Sequence, residues 1–541
     1  MPPSSPQPSQ LRWHRPLTDT GRSPLEFPSP RRSETANSYG QILSSSVVIG
    51  GSSLVTMLAA LVRNKFVAVF LGPAGVGLMS LFSAMTSVVG SFVGMGISTS
   101  GVREISEAAG TGDRIRLARS VTVVRRIIVR LGLLGAALLA AFSGPISRLT
   151  FGSADHAREI LLLSAVVLAS AVADGQVARL QGVRRMGDLA RAAVLGTILT
   201  LTLTLPIVYF WRQDAVVALL LVASGATLAS SWWFARKIQI PSIRMTWRET
   251  LHAARPLLHL GLASMSSALM VAAIAYVVRV VIARSQGVDA AGIFQSATAL
   301  SGVYCGFILS AMGADFLPRV SAVAQDDATC NRLVNEQAEV GLLLAFPGIC
   351  ATLTFSPLIV SFLYSPQFGL ATDVLRWQVL GVFLRVASWP MGYLLIAKGK
   401  AQLYFWTELS YNLVYAGLIW VCVRLWALPG AGVAFFGLYL YYCVLMCVVT
   451  RRLSGFAWSS ANKRLASVAI PTVAFVFLCR SIFPAPWHFV SASAATVLAG
   501  LYSLRMLLML PGNQRLRTLV ARIPLVRVPG LRTGLLGIRH E

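Results

Sequence analysis

The sequence predicts an all-α integral membrane protein with about fourteen transmembrane helices. Three observations carry this reading. The 541 residues are 55% hydrophobic and only 13% charged, with a mean hydropathy of +0.67, whereas a typical soluble domain has about a quarter of its residues charged. Apolar runs long enough to cross about 30 Å of hydrocarbon recur along the chain. Sustained alternation of apolar and polar residues is absent, so the spans read as helices and not as the strands of a barrel.

Taken in order, the runs centre near residues 55, 89, 135, 167, 200 and 224, then 270, 304, 351, 386, 414 and 441, and finally 473 and 498. The stretch 1–38 is rich in Pro and Ser and has no apolar core, which predicts a disordered tail and not a cleaved signal peptide. "LGPAGVG" joins the first run to the second and "SPQFGLATD" the ninth to the tenth, and neither holds a cation. Connections after even-numbered runs hold most of the basic residues. Arg103, Arg114, Arg116 and Arg119 follow the second, and Arg179, Arg184, Arg185 and Arg191 the fourth. Arg236, Lys237, Arg244, Arg248 and Arg255 follow the sixth, Lys398 and Lys400 the tenth, and Arg451, Arg452, Lys463 and Arg464 the twelfth. The third connection, with Arg148 and Arg158, is an exception. The bias is the positive-inside signal and predicts that both termini are cytoplasmic. It also accounts for the net charge of +26 without a nucleic-acid partner. Arg125, Arg126 and Arg130 open the third run on its cytoplasmic side, where snorkelling to the interface suffices. The basic tail 512–541 reads either as an interfacial helix on anionic lipid or as a solvated tail.

No connection is long enough to form a catalytic domain, no DxD motif occurs, and there are only 21 acidic residues. All cysteines but Cys330 lie in apolar runs without a neighbouring His or acid, so they read as small packing residues. No catalytic residue, metal site or cofactor is therefore expected, and the chain does not read as an enzyme.

The chain repeats itself weakly. "LGPAGVGLMSLFSAMTSVVGSFVGMGISTSGVREIS" after the first run matches "QGVDAAGIFQSATALSGVYCGFILSAMGADFLPRVS" after the seventh. Both open on an Ala-Gly turn, continue as a Gly- and Ser-rich span, and end on a cation. Arg63 lies 11 residues before Ala74, and Arg279 lies 12 before Ala291. A period of six helices predicts two six-helix lobes around a central cavity, with a site at their interface. The expected organisation is a tail (1–38), an N-lobe (39–240), a C-lobe (241–455), two additional helices (456–511) and a basic tail (512–541).

The segments "RNKFVAVFLGPAGVGL", "AYVVRVVIARSQGVDAAGIFQ", "DFLPRVS" and "LRWQVLGVFLRVASWPMGYLLIAKGKAQLYFWTELSYN" resemble the bacterial O-antigen translocases. That family consists of lipid-linked oligosaccharide flippases, and the resemblance runs from about residue 40 to 452. It implies an alternating-access cycle and a polyprenyl-diphosphate-linked oligosaccharide as substrate. Membrane lipids and components of a polysaccharide polymerase are the other partners it implies. The implied location is the bacterial inner membrane. The long N-terminal tail, the last two spans and the basic tail depart from the family pattern.

A charge near the bilayer centre costs about 2.5–3.5 kcal/mol on insertion scales, so such a residue should face a cavity or a partner. Arg63 and Lys65 sit inside the first run, Arg279 one turn deeper than Arg284 in the seventh, and Arg385 in the middle of the tenth. Arg63 and Lys65 are two residues apart and diverge by about 200°, so they cannot share one helix face. Lys65 is the better matched of the two in the resemblance. A diphosphate needs fixed cations that replace its hydration; Arg supplies planar multi-donor contacts and Lys a point charge. Arg63, Lys65, Arg279 and Arg385 are the expected lining of a cationic cavity. Asp174, Asp315, Arg319 and Glu408 are candidates for coupling or gating, although Asp315 and Arg319, four residues apart, also fit a helix-end ion pair. A flippase for a lipid-linked cell-wall precursor would share this cation logic. A membrane enzyme of polysaccharide assembly would need an outer loop or metal ligands that the sequence does not offer.

Overall fold

The computed structural model describes residues 35–510, except Met95, Gln213, Asp214, Ser242 and Ala485. Met1–Ser46 forms one unit and Val47–Glu541 a second, which holds the bundle. The tail expected over 1–38 lies outside the described residues as far as residue 34, and its last four residues are already helical. The tail 512–541 also lies outside them.

The first helix, α1 (Thr35–Gly94), is not one rod. Gly72 has φ 65 and ψ −171, and Pro73 follows it. Glycine takes that backbone without strain, and a proline in a helix's first turn forfeits no hydrogen bond. The chain folds back there, so Arg63 and Val67 of the first limb line the same cavity as Met79 and Ser83 of the second. After Gly96, with φ 62, α2 (Ile97–Gly110) continues the second limb. Then come α3 (Arg114–Ala141) and α4 (Ser143–Phe151), which meet at a bend of 64°. α5 (Ala157–Gly182) packs on α3, α7 (Ala215–Ala235) on α5, and α6 (Met186–Trp211) on α7.

The helix α8 (Trp247–Gln286) opens on a capping box between Thr246 and Glu249, which satisfies two end donors reciprocally. Ala254 and Leu257 of its first turns are buried with Ile105 of α2 and Val124 of α3. Its later turns pack against α9 and α12, so one helix links the two halves of the chain. The chain turns at Gly287, with φ 91, into α9 (Val288–Ala322). α10 (Asp327–Leu363) and α11 (Ala371–Ala397) follow. α12 (Ala401–Ser454) breaks at Trp426 and Ala427. Its limbs run antiparallel, since Tyr411 meets Tyr439 and Tyr415 meets Phe435 across the break. α13 (Ser460–Ile482) and α14 (Trp487–Met509) dock on α10. The Asn462 amide donates to the Asn335 backbone oxygen at 2.9 Å, and Thr354 bonds Thr496 at 3.0 Å. Such side-chain bonds hold helices together where apolar packing alone gives little preference in lipid.

Among the described residues, ten helices are long and apolar enough to cross a membrane, or eleven if α3 and α4 form one bent span. Two of the ten, α1 and α12, are each two helical limbs joined at a break. The protein is a multi-pass, all-helical membrane protein.

Candidate functional site

Arg63 of the first half and Arg279 of the second line one cavity of about 300 Å³. It lies between the two limbs of α1 and the α8–α9 hairpin, with Tyr364 at its edge. The hairpin turn at Gly287 brings Gln295 opposite Arg279. One Arg279 Nη donates to the Gln295 Oε1 at 2.6 Å and the other to the Ala275 carbonyl at 2.7 Å. These bonds fix the guanidinium but do not neutralise it. No acidic residue lines the cavity, and neither arginine is ion-paired among the described residues. The Nε atoms of both are buried without a partner. Two cations without acid partners in a small cavity have the chemistry to take an anion.

Ser87 borders both this cavity and a second of about 430 Å³ that holds Asp174, Ser91 and Ser170. The arginine chamber and the serine-lined chamber are therefore neighbours across Ser87.

At the Gly72 end the halves touch. A Cβ at Gly292 would run into the Pro73 carbonyl oxygen, and one at Gly77 into that of Val288. These contacts are reciprocal: residues 73 and 77 meet 292 and 288, as a pseudo-two-fold axis between the repeated turns requires. Tyr276 of α8 also bonds Thr150 of α4 at 2.6 Å. Lys65 belongs to this closure and not to the cavity. Its Nζ donates to the backbone oxygens of Phe362 at 2.5 Å and Ser361 at 3.4 Å. Those oxygens end α10, where a cation complements the helix dipole. The divergence of Arg63 and Lys65 read from the helix period is present; Arg63 lines the cavity and Lys65 bonds the end of α10.

Arg385 of α11 does not reach the chamber of Arg63 and Arg279. Its guanidinium carbon is 5.8 Å from the centre of the Tyr439 ring, with Cys305 and Tyr411 beside it. The Tyr411 hydroxyl donates to that of Tyr439 at 3.0 Å, and the Tyr442 hydroxyl to a Glu408 carboxylate oxygen at 3.4 Å. Tyr411 and Tyr442 pack ring to ring at 5.2 Å. A tyrosine cluster thus separates the cation of Arg385 from the carboxylate of Glu408. Asp315 and Arg319 pair with each other at 3.3 Å, and both are exposed. Arg126 and Arg130 meet the start of α8. Arg126 donates to the Met245 carbonyl at 2.6 Å and to Thr250 at 3.1 Å, and Arg130 lies 3.3 Å over the Trp247 ring. They anchor the start of α8.

Sequence reasoning missed Gln295 and the tyrosines. Gln295 could have been found as the residue facing Arg279 across a turn centred on Gly287. The tyrosines 404, 411 and 415 recur at helical spacing, but their pairing depends on where α12 folds back.

Residues 66–372 match the polysaccharide biosynthesis protein family. Over 416 residues the chain is 24% identical to the lipid III flippase of Escherichia coli strain K12, spanning 75% of this chain and 98% of that protein. The lipid III flippase of Shigella flexneri matches to the same extent. Among solved structures, the lipid II flippase MurJ in an inward closed conformation superposes with a TM-score of 0.66 at 13% identity, covering 88% of this chain and 100% of that one. An inward-facing multidrug resistance MATE family transporter of the MOP superfamily gives 0.64 at 15% identity, covering 75% and 96%. The structural likenesses establish the fold.

Proposed function

The chain belongs to the polysaccharide biosynthesis protein family, and from that premise we propose that it is a lipid-linked oligosaccharide flippase. It carries a polyprenyl-diphosphate-linked oligosaccharide from the cytoplasmic to the periplasmic leaflet of the bacterial inner membrane, for surface-polysaccharide assembly. The observation that carries this reading is the pair Arg63 and Arg279: two cations without acid partners, one from each half, in a cavity between the halves. The flippase relatives support a transporter and not a catalyst.

The diphosphate binds between the two guanidiniums, with Gln295 orienting Arg279. The sugars occupy the serine-lined chamber and the polyprenyl tail stays in lipid. The Gly72 end faces the periplasm and both termini lie in the cytoplasm, in keeping with the charge bias. This state is then closed outward and loads from the cytoplasm. The moving units are the lobes 39–240 and 241–455, with 456–511 carried as an added pair. Asp174, which borders the substrate chamber, and Glu408, within the tyrosine cluster, are the candidates for coupling or gating.

In cells lacking the protein, the lipid-linked oligosaccharide should accumulate and the surface glycan should disappear. Accumulation of a cell-wall precursor instead would move the assignment to the second reading, and accumulation of neither would contradict a flippase.

Two further outcomes follow from the geometry. Lys65→Met keeps the apolar stem but loses the bonds to the end of α10. It should lower export about tenfold, one charge-assisted bond being worth about 1.5–3 kcal/mol, and increase labelling of a cysteine placed at Ser80 from outside. Arg385→Ala should stop export without loss of protein, and Arg385→Lys should keep part of it. Tyr439→Phe should fall between wild type and Arg385→Ala, because it removes only the Tyr411–Tyr439 bond. Glycan export and immunoblotted protein, measured together, check all three.

A further inference from the structure

The arginine chamber leaves unexplained a second cationic pocket, of about 220 Å³, enclosed by α2, α3, α5 and α7. Arg125 of α3, Gln176 and Arg179 of α5, and Arg236 just beyond α7 line it, together with Trp232. No acidic residue lines the pocket, and none of the three arginines is ion-paired among the described residues. Arg125 is close enough to Arg179 for their charges to repel. Arg179 donates one Nη to the Ile238 carbonyl at 2.5 Å, which holds it in place, and its Nε is buried without a partner. The Arg236 guanidinium lies 3.6 Å over the Trp233 ring and 4.9 Å over that of Trp232. Three like charges line one pocket, Arg179 held inside it and Arg125 and Arg236 at its exposed side, and an anion relieves their repulsion. Guanidinium groups suit the oxygens of a phosphate, which accept several donors at once.

The level of the pocket indicates which phosphate. Trp232 and Trp233 end α7 beside Arg236 and Lys237, the combination of aromatic and basic residues that marks a membrane interface. Trp232 is 51% exposed, so one wall of the pocket opens outward at that depth. We propose that this pocket binds the phosphate of an anionic lipid headgroup in the cytoplasmic leaflet, apart from the transport path. Ile128 lines both this pocket and the Asp174 chamber, so a bound lipid would brace the wall of that chamber. The leaflet rests on the orientation proposed above; the phosphate site itself does not depend on the flippase reading.

The test is lipid binding by purified full-length protein, read by native mass spectrometry and independent of transport. The probes are phosphatidylglycerol, phosphatidylcholine as neutral control, and inorganic phosphate as competitor. Wild type should retain phosphatidylglycerol at least about tenfold more strongly than the double variant Arg125→Gln/Arg236→Gln, for the loss of charge-assisted contacts. Phosphatidylcholine should bind both alike. Arg179 is left in place because it holds Ile238. The variant Arg125→Lys/Arg236→Lys should recover part of the binding, which separates lost charge from lost folding. Equal phosphatidylglycerol binding by wild type and the glutamine variant would overturn the proposal, as would a lysine variant as weak as the glutamine one. Displacement of the lipid by inorganic phosphate would overturn the assignment to a headgroup.

Discussion

Replacing Arg279 by alanine is expected to cut export of the lipid-linked glycan at least about thirtyfold at normal protein abundance. Removing one partner of a buried, hydrogen-bonded charge pair costs about 2–5 kcal/mol, and each 1.4 kcal/mol is about tenfold. Arg63 remains, but it belongs to the other half and lines another wall of the cavity, so it cannot replace the lost donors. Gln295 loses the guanidinium it faces and keeps only its neutral amide. The loss cannot come from poor insertion, because removing an intramembrane charge eases insertion. Arg279→Lys should retain part of the activity as a point charge. Full export by Arg279→Ala, with protein level checked by immunoblot, would assign the residue to packing.

Gly292→Val should be nearly as severe by a different route. The contacts of Gly292 with Pro73 and of Gly77 with Val288 leave no room for a side chain. Overpacking of this kind costs about 1–3 kcal/mol or more, and under the proposed orientation it falls on the outward-closed state. A shift of that size moves the balance between states about tenfold or more. Export should drop by about that factor, and a cysteine at Ser80 should become labelled from outside. Gly77→Val should behave alike. The double variant should be little worse than either single one, because both residues serve one contact and coupled sites are not additive. Additive losses would mean that the glycines act separately.

The fold was largely legible in the sequence because a membrane makes few demands and makes them strictly. Apolar length marks the spans, and cations mark the loops on one side. Gly72 and Gly287 mark two of the fold-backs through backbone conformations that few other residues tolerate, whereas the fold-back of α12 falls at Trp426 and Ala427 and had no such signal. The repeat was legible for the same reason: its turns must approach closely, and only small residues permit that. Assigning the four intramembrane cations was harder. Depth says that a cation needs company, but the helix period says only that Arg63 and Lys65 face different ways. Which of them meets the cavity depends on how α10 ends, far along the chain. The contacts of Arg126 with the Met245 carbonyl and of Arg130 with the Trp247 ring were not legible, because those partners arrive from the start of α8, far along the chain. The tyrosine surroundings of Arg385 were not legible, because they depend on the register of the α12 hairpin.

The most direct measurement is movement of a fluorescent polyprenyl-diphosphate-linked saccharide between leaflets of vesicles containing purified protein. It is followed by quencher added outside, for wild type and for Arg63→Gln/Arg279→Gln. The expected result is lipid movement with wild type and none above empty vesicles with the double variant, although both proteins insert equally. Movement at the wild-type rate in the double variant would contradict the central role of this cavity.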